Sequence, residues 1–135
     1  LLFESTTLSD SPDAITGKER GGVQAHHFSD WLAQYRGRVD LYQTVVLQRS
    51  TGRSKMRDYV AQVHRDSIEY DLAQAVGSGI GFIRNTEDGS RLFCSEFWTF
   101  AMQKGGSIGT HVNCSEVNPL DVPFFPCIKF VRRLK

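Results

Sequence analysis

The stretch from Cys94 to Lys104 constrains the fold more than any other part of the chain. Its apolar residues fall at Phe97, Phe100 and Ala101 with Trp98 beside them, the spacing of an amphipathic helix. Ser95 and Glu96 suit a first turn, where a carboxylate complements the helix dipole; Lys104 and then Gly105-Gly106 close it. Cys94 is therefore predicted to stand at a helix N-terminus. Unpaired N–H groups there stabilise a thiolate, which lowers the thiol pKa, and they can hold a developing oxyanion. A free cysteine is also commonly a small, buried, inert residue, so the helix start does not by itself make a nucleophile.

The chain has 135 residues, enough for one domain over 1–135 with a core of its own. A formal net charge of +1 gives no reason to expect nucleic acid or an anionic membrane as partner. No apolar run is long enough for a transmembrane segment, and no signal-peptide pattern is present. The chain starts inside the apolar run Leu1-Leu2-Phe3 rather than on Met, which we read as a fragment or a processed product. Cys94, Cys114 and Cys127 make an odd count without Cys-x-x-Cys spacing. That predicts no disulfide framework and favours a reducing, cytoplasmic compartment. His26, His27, His64 and His111 form no zinc pattern with the cysteines, so no metal is predicted.

Taken in order, residues 1–7 read as a strand in which Glu4 is either solvated or held for a purpose. Residues 8–19 read as a loop and 21–26 as a short extended stretch. Phe28, Trp31, Leu32 and Tyr35 give a short helix with His27 or Ser29 near its cap and Gly37 as its stop. Alternation over 39–47 predicts a strand, and 49–54 a polar turn. Residues 55–66 read as a helix with Met56, Tyr59, Val60 and Val63 inward and His64 on a solvated face. A second short helix is expected over 70–76, and the glycine-rich 77–81 lacks the ending of a phosphate loop. A loop or edge segment over 105–117, a turn over 118–123 and a final strand over 127–133 complete the chain. Most of Trp31, Tyr35, Trp98, Phe124 and Phe125 are expected in the core, although they could line a groove.

Several of these segments, in this order, carry a resemblance. They are Phe3-Glu4-Ser5-Thr6-Thr7, Gly22-Val23-Gln24, Asp30-Trp31-Leu32 with Tyr35-Arg36-Gly37, Tyr70-Asp71-Leu72, Phe93-Cys94-Ser95-Glu96-Phe97 and Asn118-Pro119-Leu120-Asp121. Together they resemble the circularly permuted NlpC-type, YiiX-like branch of the papain-fold cysteine hydrolases, over nearly the whole chain. The resemblance implies an α+β, papain-like fold in which an antiparallel sheet packs on the helix beginning at Cys94. It implies Cys94 as nucleophile and Glu4 as the carboxylate that orients a histidine base. The family carries that histidine on a strand ahead of the glutamate, a stretch this chain does not contain. The resemblance therefore leaves three readings: a longer parent supplies the histidine, His27 or His26 takes its place, or the chain does not turn over.

The function expected first is a cysteine hydrolase of amide, peptide or acyl-ester bonds, working through an acyl-enzyme and needing no cofactor. A binding module that keeps the groove without turnover is the alternative, as is acyl transfer to a lipid or amine at the same site. The expected substrate is a peptide, an amide or an acyl lipid. A sheet lacking the family's first strand would expose an edge, which predicts lowered stability or a homodimer through that edge.

Overall fold

The computed structural model describes residues 1–7, 11–44, 50–70 and 92–135. The pleat of the first hairpin sorts its residues into two kinds. Strand β1 (Leu2–Thr6) pairs antiparallel with β2 (Gly22–His26), with Phe3 opposite Ala25, Glu4 opposite Gln24 and Leu2 opposite His26. Period-2 alternation then puts Phe3, Ser5, Val23 and Ala25 on one face and Glu4, Gln24 and His26 on the other. The first face meets the core.

Helix α1 (Phe28–Gln34) follows β2, strand β3 (Asp40–Thr44) comes next, and then helix α2 (Ser50–Arg65). Helix α3 (Cys94–Lys104) leads into two 3-10 turns, Cys114–Glu116 and Val122–Phe124, and strand β4 (Ile128–Arg133). Two core clusters use opposite sides of α3. Phe97 joins Val23, Val63 and Leu92, with Phe3, Tyr59 and Phe100 packed against them. Met102 joins Ile108 and Cys127, with Met56, Trp98 and Ile128 packed against them. Helix α3 is thus covered nearly all round rather than along the one expected stripe. Two of its buried hydroxyls are hydrogen-bonded: Ser95 Oγ donates to the Val117 carbonyl (2.5 Å) and Thr99 Oγ1 to the Ser95 carbonyl (2.7 Å).

The α+β class expected from sequence holds, but the single sheet does not. Among the described residues the strands form two separate two-stranded antiparallel sheets, β1–β2 and β3–β4. The outer edge of β2 is already occupied. Ala25 is held there on both sides, its N–H donating to the Asp13 carboxylate (2.7 Å) and its carbonyl accepting from the Ala14 N–H (2.8 Å). The Val23 N–H donates to the Ile68 carbonyl (3.1 Å). A loop and a connection take the place where a third strand would add. The turn expected over 49–54 is also corrected, because α2 already starts at Ser50 and runs through Gly52. The helix expected over 70–76 and the glycine-rich 77–81 lie outside the described residues, apart from Tyr70.

Gly22 begins β2 with φ +84°, and a Cβ there would run into the Ile68 carbonyl oxygen. Both the left-handed backbone and the close approach demand glycine. Gly22→Ala is expected to destabilise the fold by about 2–4 kcal/mol, measured by urea unfolding. A loss below about 0.5 kcal/mol, the usual scatter for harmless surface changes, would refute the close packing of β2 on Ile68.

Candidate active site

Cys94 is the first residue of α3. Phe93 before it is extended (φ −88°, ψ 170°), and no side chain caps the helix. The entry is tied to β1 by Ser5 Oγ, which donates to the Leu92 carbonyl (2.5 Å), and to the stretch after α2 by the Leu92 N–H, which donates to the Glu69 carbonyl (2.9 Å). Ser5 is the neighbour of Glu4, so this contact brings the start of α3 beside the strand that bears the carboxylate. Cys94 is exposed as a residue, while Cys114 and Cys127 are buried.

The Cys94 thiol does not behave as the helix start alone predicts. Loss of hydration pushes its pKa up, the backbone N–H groups of Ser95 and of Cys94 itself pull it down, and the Glu4 carboxylate pushes it up again. The net direction is upward, which corrects the expected lowering. The helix amides act as anticipated and are outweighed. The Cys127 thiol is likewise pushed up by burial, opposed by its own backbone N–H.

Glu4 and His26 share a face of the β1–β2 hairpin, one register step apart. Glu4 Oε1 lies 3.1 Å from His26 Nε2. The distance is that of an ion pair, but the alignment is not that of a directed hydrogen bond. His26 is 6% exposed and His27, the next residue, is exposed at the N-cap position of α1 without a side-chain capping bond. The structure therefore brings Glu4 to His26 rather than to His27. Among the described residues no hydrogen bond joins His26 to Cys94. None of their His, Cys, Asp and Glu side chains gather in a group of three or more that could hold a metal ion. No helix among them is long and apolar enough to cross a membrane.

The Glu4–His26 pair opens into a cleft of about 580 Å³, whose lining includes His27, Trp31, Tyr35 and Arg36. Helix α1 is one wall. It buries no residue fully and is held instead by stacking and by a distant cation. Trp31 lies between Phe28 (centroids 6.4 Å, planes 17° apart) and Tyr35 (4.9 Å, 16°). The Lys135 ammonium donates to the carbonyls of Tyr35 (2.5 Å), Leu32 (3.2 Å) and Ala33 (3.3 Å), complementing the helix C-terminus. Trp31 and Tyr35 thus line the cleft rather than the core, and Phe124 is 84% exposed. Trp98 and Phe125 pack on the Met102 cluster as expected of core residues.

His64 corrects another expectation. It is 4% exposed, its Nε2 lies 2.7 Å from Asp13 Oδ2, and the Phe3 ring meets it edge-on at 5.7 Å. Asp13 falls in the loop expected over 8–19, with no role expected for it. A carboxylate three residues before Thr16 does signal a local turn, and Asp13 Oδ1 accepts from the N–H groups of Ile15 and Thr16 and from Thr16 Oγ1. Nothing local could signal its partner 51 residues on. No family model, curated protein or solved structure matches this chain.

Proposed function

We propose that the protein is a cysteine hydrolase of amide, peptide or acyl-ester bonds, built on a permuted papain-like fold. One observation carries this reading: the Glu4 carboxylate that pairs with His26 also bears on the Cys94 thiol at the uncapped start of α3. On this reading Cys94 is the nucleophile, His26 the base and Glu4 the carboxylate that orients the base.

The chemistry follows from the charges. A thiol pushed upward rests protonated, so it needs a base as it attacks. Glu4 faces His26 Nε2, which leaves Nδ1 to take the thiol proton. Sulfur bonds to the carbonyl carbon, and the carbonyl oxygen becomes an anion that the first-turn amides of α3 can hold. Collapse expels the amine or alcohol, which takes the proton back from His26. Water then attacks the thioester and gives a proton to His26; collapse breaks the carbon–sulfur bond, the leaving thiolate takes that proton from His26, and the acid is released.

The test is intact-mass trapping. Activated acyl esters and amides are expected to leave one acyl group on Cys94, and hydroxylamine to remove it. Absence of any adduct across peptide, aryl-amide and fatty-acyl probes would sink the reading. A second prediction concerns Glu4 alone. Glu4→Gln removes a charge that opposes thiolate formation, so alkylation of Cys94 is expected to titrate at lower pH than in the wild type. An unmoved titration would show that Glu4 does not face the thiol.

The upward thiol and the lack of a His26–Cys94 hydrogen bond among the described residues favour one second reading, a binding module that keeps the cleft without turnover. It predicts saturable ligand binding that survives Cys94→Ala with no acyl adduct in either form.

A further inference from the structure

Asp13 reaches the candidate base through the backbone. The residue is 1% exposed. Its Oδ1 completes the local turn, and its Oδ2 is used elsewhere, accepting from the Ala25 N–H (2.7 Å) and lying 2.7 Å from His64 Nε2. Ala14 adds its N–H to the Ala25 carbonyl (2.8 Å). Both outward-pointing groups of Ala25 are therefore held by residues 13 and 14, and Ala25 is bonded to His26. Helix α2 supplies His64, and Arg20 braces the end of that helix, donating to the His64 carbonyl from both guanidinium nitrogens (3.3 Å each).

We propose that Asp13 and His64 are positioning residues for His26. The buried carboxylate–imidazole pair fixes the Ala25 peptide, and with it the direction in which His26 leaves β2 towards Glu4. A turn cap needs only Oδ1, and burying a carboxylate is costly unless it is paired. The second oxygen and its histidine therefore call for a use beyond the turn, and the peptide they hold adjoins the base. Misplacing a catalytic group by about 1 Å can cost about 100-fold in rate, so an indirect anchor has a measurable effect. The kinetic part of this inference rests on the hydrolase reading; the geometric part does not.

The variants are His64→Gln, which keeps an N–H donor for Asp13, His64→Phe, which fills the space without one, and Asp13→Asn. Two readouts are taken on folded protein: the ring-nitrogen NMR signals of His26, and the pH profile of Cys94 alkylation by iodoacetamide with His26→Ala as reference. His64→Phe and Asp13→Asn are expected to shift the His26 signals and to lower the His26-dependent part of the rate by about 10- to 100-fold. His64→Gln is expected to restore the wild-type spectrum and most of the rate. Wild-type His26 signals in a folded His64→Phe protein would overturn the inference. Should Asp13→Asn fail to fold, the two His64 variants decide. Should wild-type alkylation not depend on His26 at all, the hydrolase reading falls, and the ring signals still decide the positioning.

Discussion

Cys94→Ala is expected to remove turnover of any amide or ester the protein cleaves, by on the order of 10³-fold or more, with the fold intact. The size follows from the covalent route, in which the acyl intermediate forms on the Cys94 sulfur. Cys94 is the exposed thiol, whereas Cys114 and Cys127 are buried and occupy the packing around α3. Cys94→Ser is expected to be nearly as inactive, since a hydroxyl ionises far less readily than a thiol. Steady-state rates on whichever acyl probe labels the protein, with melting curves for both variants, make the check. Turnover that persists in Cys94→Ala while the double variant Cys114→Ser/Cys127→Ser is dead would move the chemistry elsewhere.

Asp13→Ala is expected to destabilise the protein by about 3–5 kcal/mol, because it leaves His64 and the Ala25 N–H buried without their acceptor. For a chain of this size that is a fall in Tm of about 10–20 °C. The pH dependence has a definite sign. Burial on its own would push the Asp13 carboxyl up, but hydrogen bonds from His64, Ala25, Thr16 and Ile15 outweigh it and hold the group well below the usual carboxylate range. A depressed folded-state value stabilises above the unfolded value of about 3.9, and that stabilisation is lost as the pH falls through the folded value. The gap between wild type and Asp13→Ala is therefore widest near neutrality and narrows below about pH 4. Urea unfolding at a series of pH values measures it. A gap that stays constant well into the acid range would mean that the Asp13 bonds do not favour its charged form.

Local signals read well wherever one element decides its own geometry. The start of α3 at Cys94 and its stop at Gly105 follow from residues within a turn of each end. The hairpin strands β1 and β2 and the cap position of α1 at His27 were equally legible. The failures share a cause, for each depended on a partner remote in sequence. His64 sits beside Arg65 and Asp66, and that polar company pointed to solvent; Asp13 and Phe3 from other elements enclose it instead. A lone helix start argued for a lowered Cys94 thiol; the packing around it and the Glu4 charge from β1 reverse the direction.

By itself the sequence determined that Cys94 opens a helix and that Glu4 is set in a strand, because both rest on residue type and short-range periodicity; the α+β class was an expectation that the resemblance implied. Only the tertiary structure decided that Glu4 meets His26 and not His27, since the strand register places His26 on the face that Glu4 shares. It likewise decided that Asp13 and His64 brace that strand from outside, and that the pKa of the Cys94 thiol is pushed up rather than down. These are matters of distance and hydration between segments tens of residues apart, and the Coulomb and desolvation energies that govern them depend on where the folded chain puts its charges.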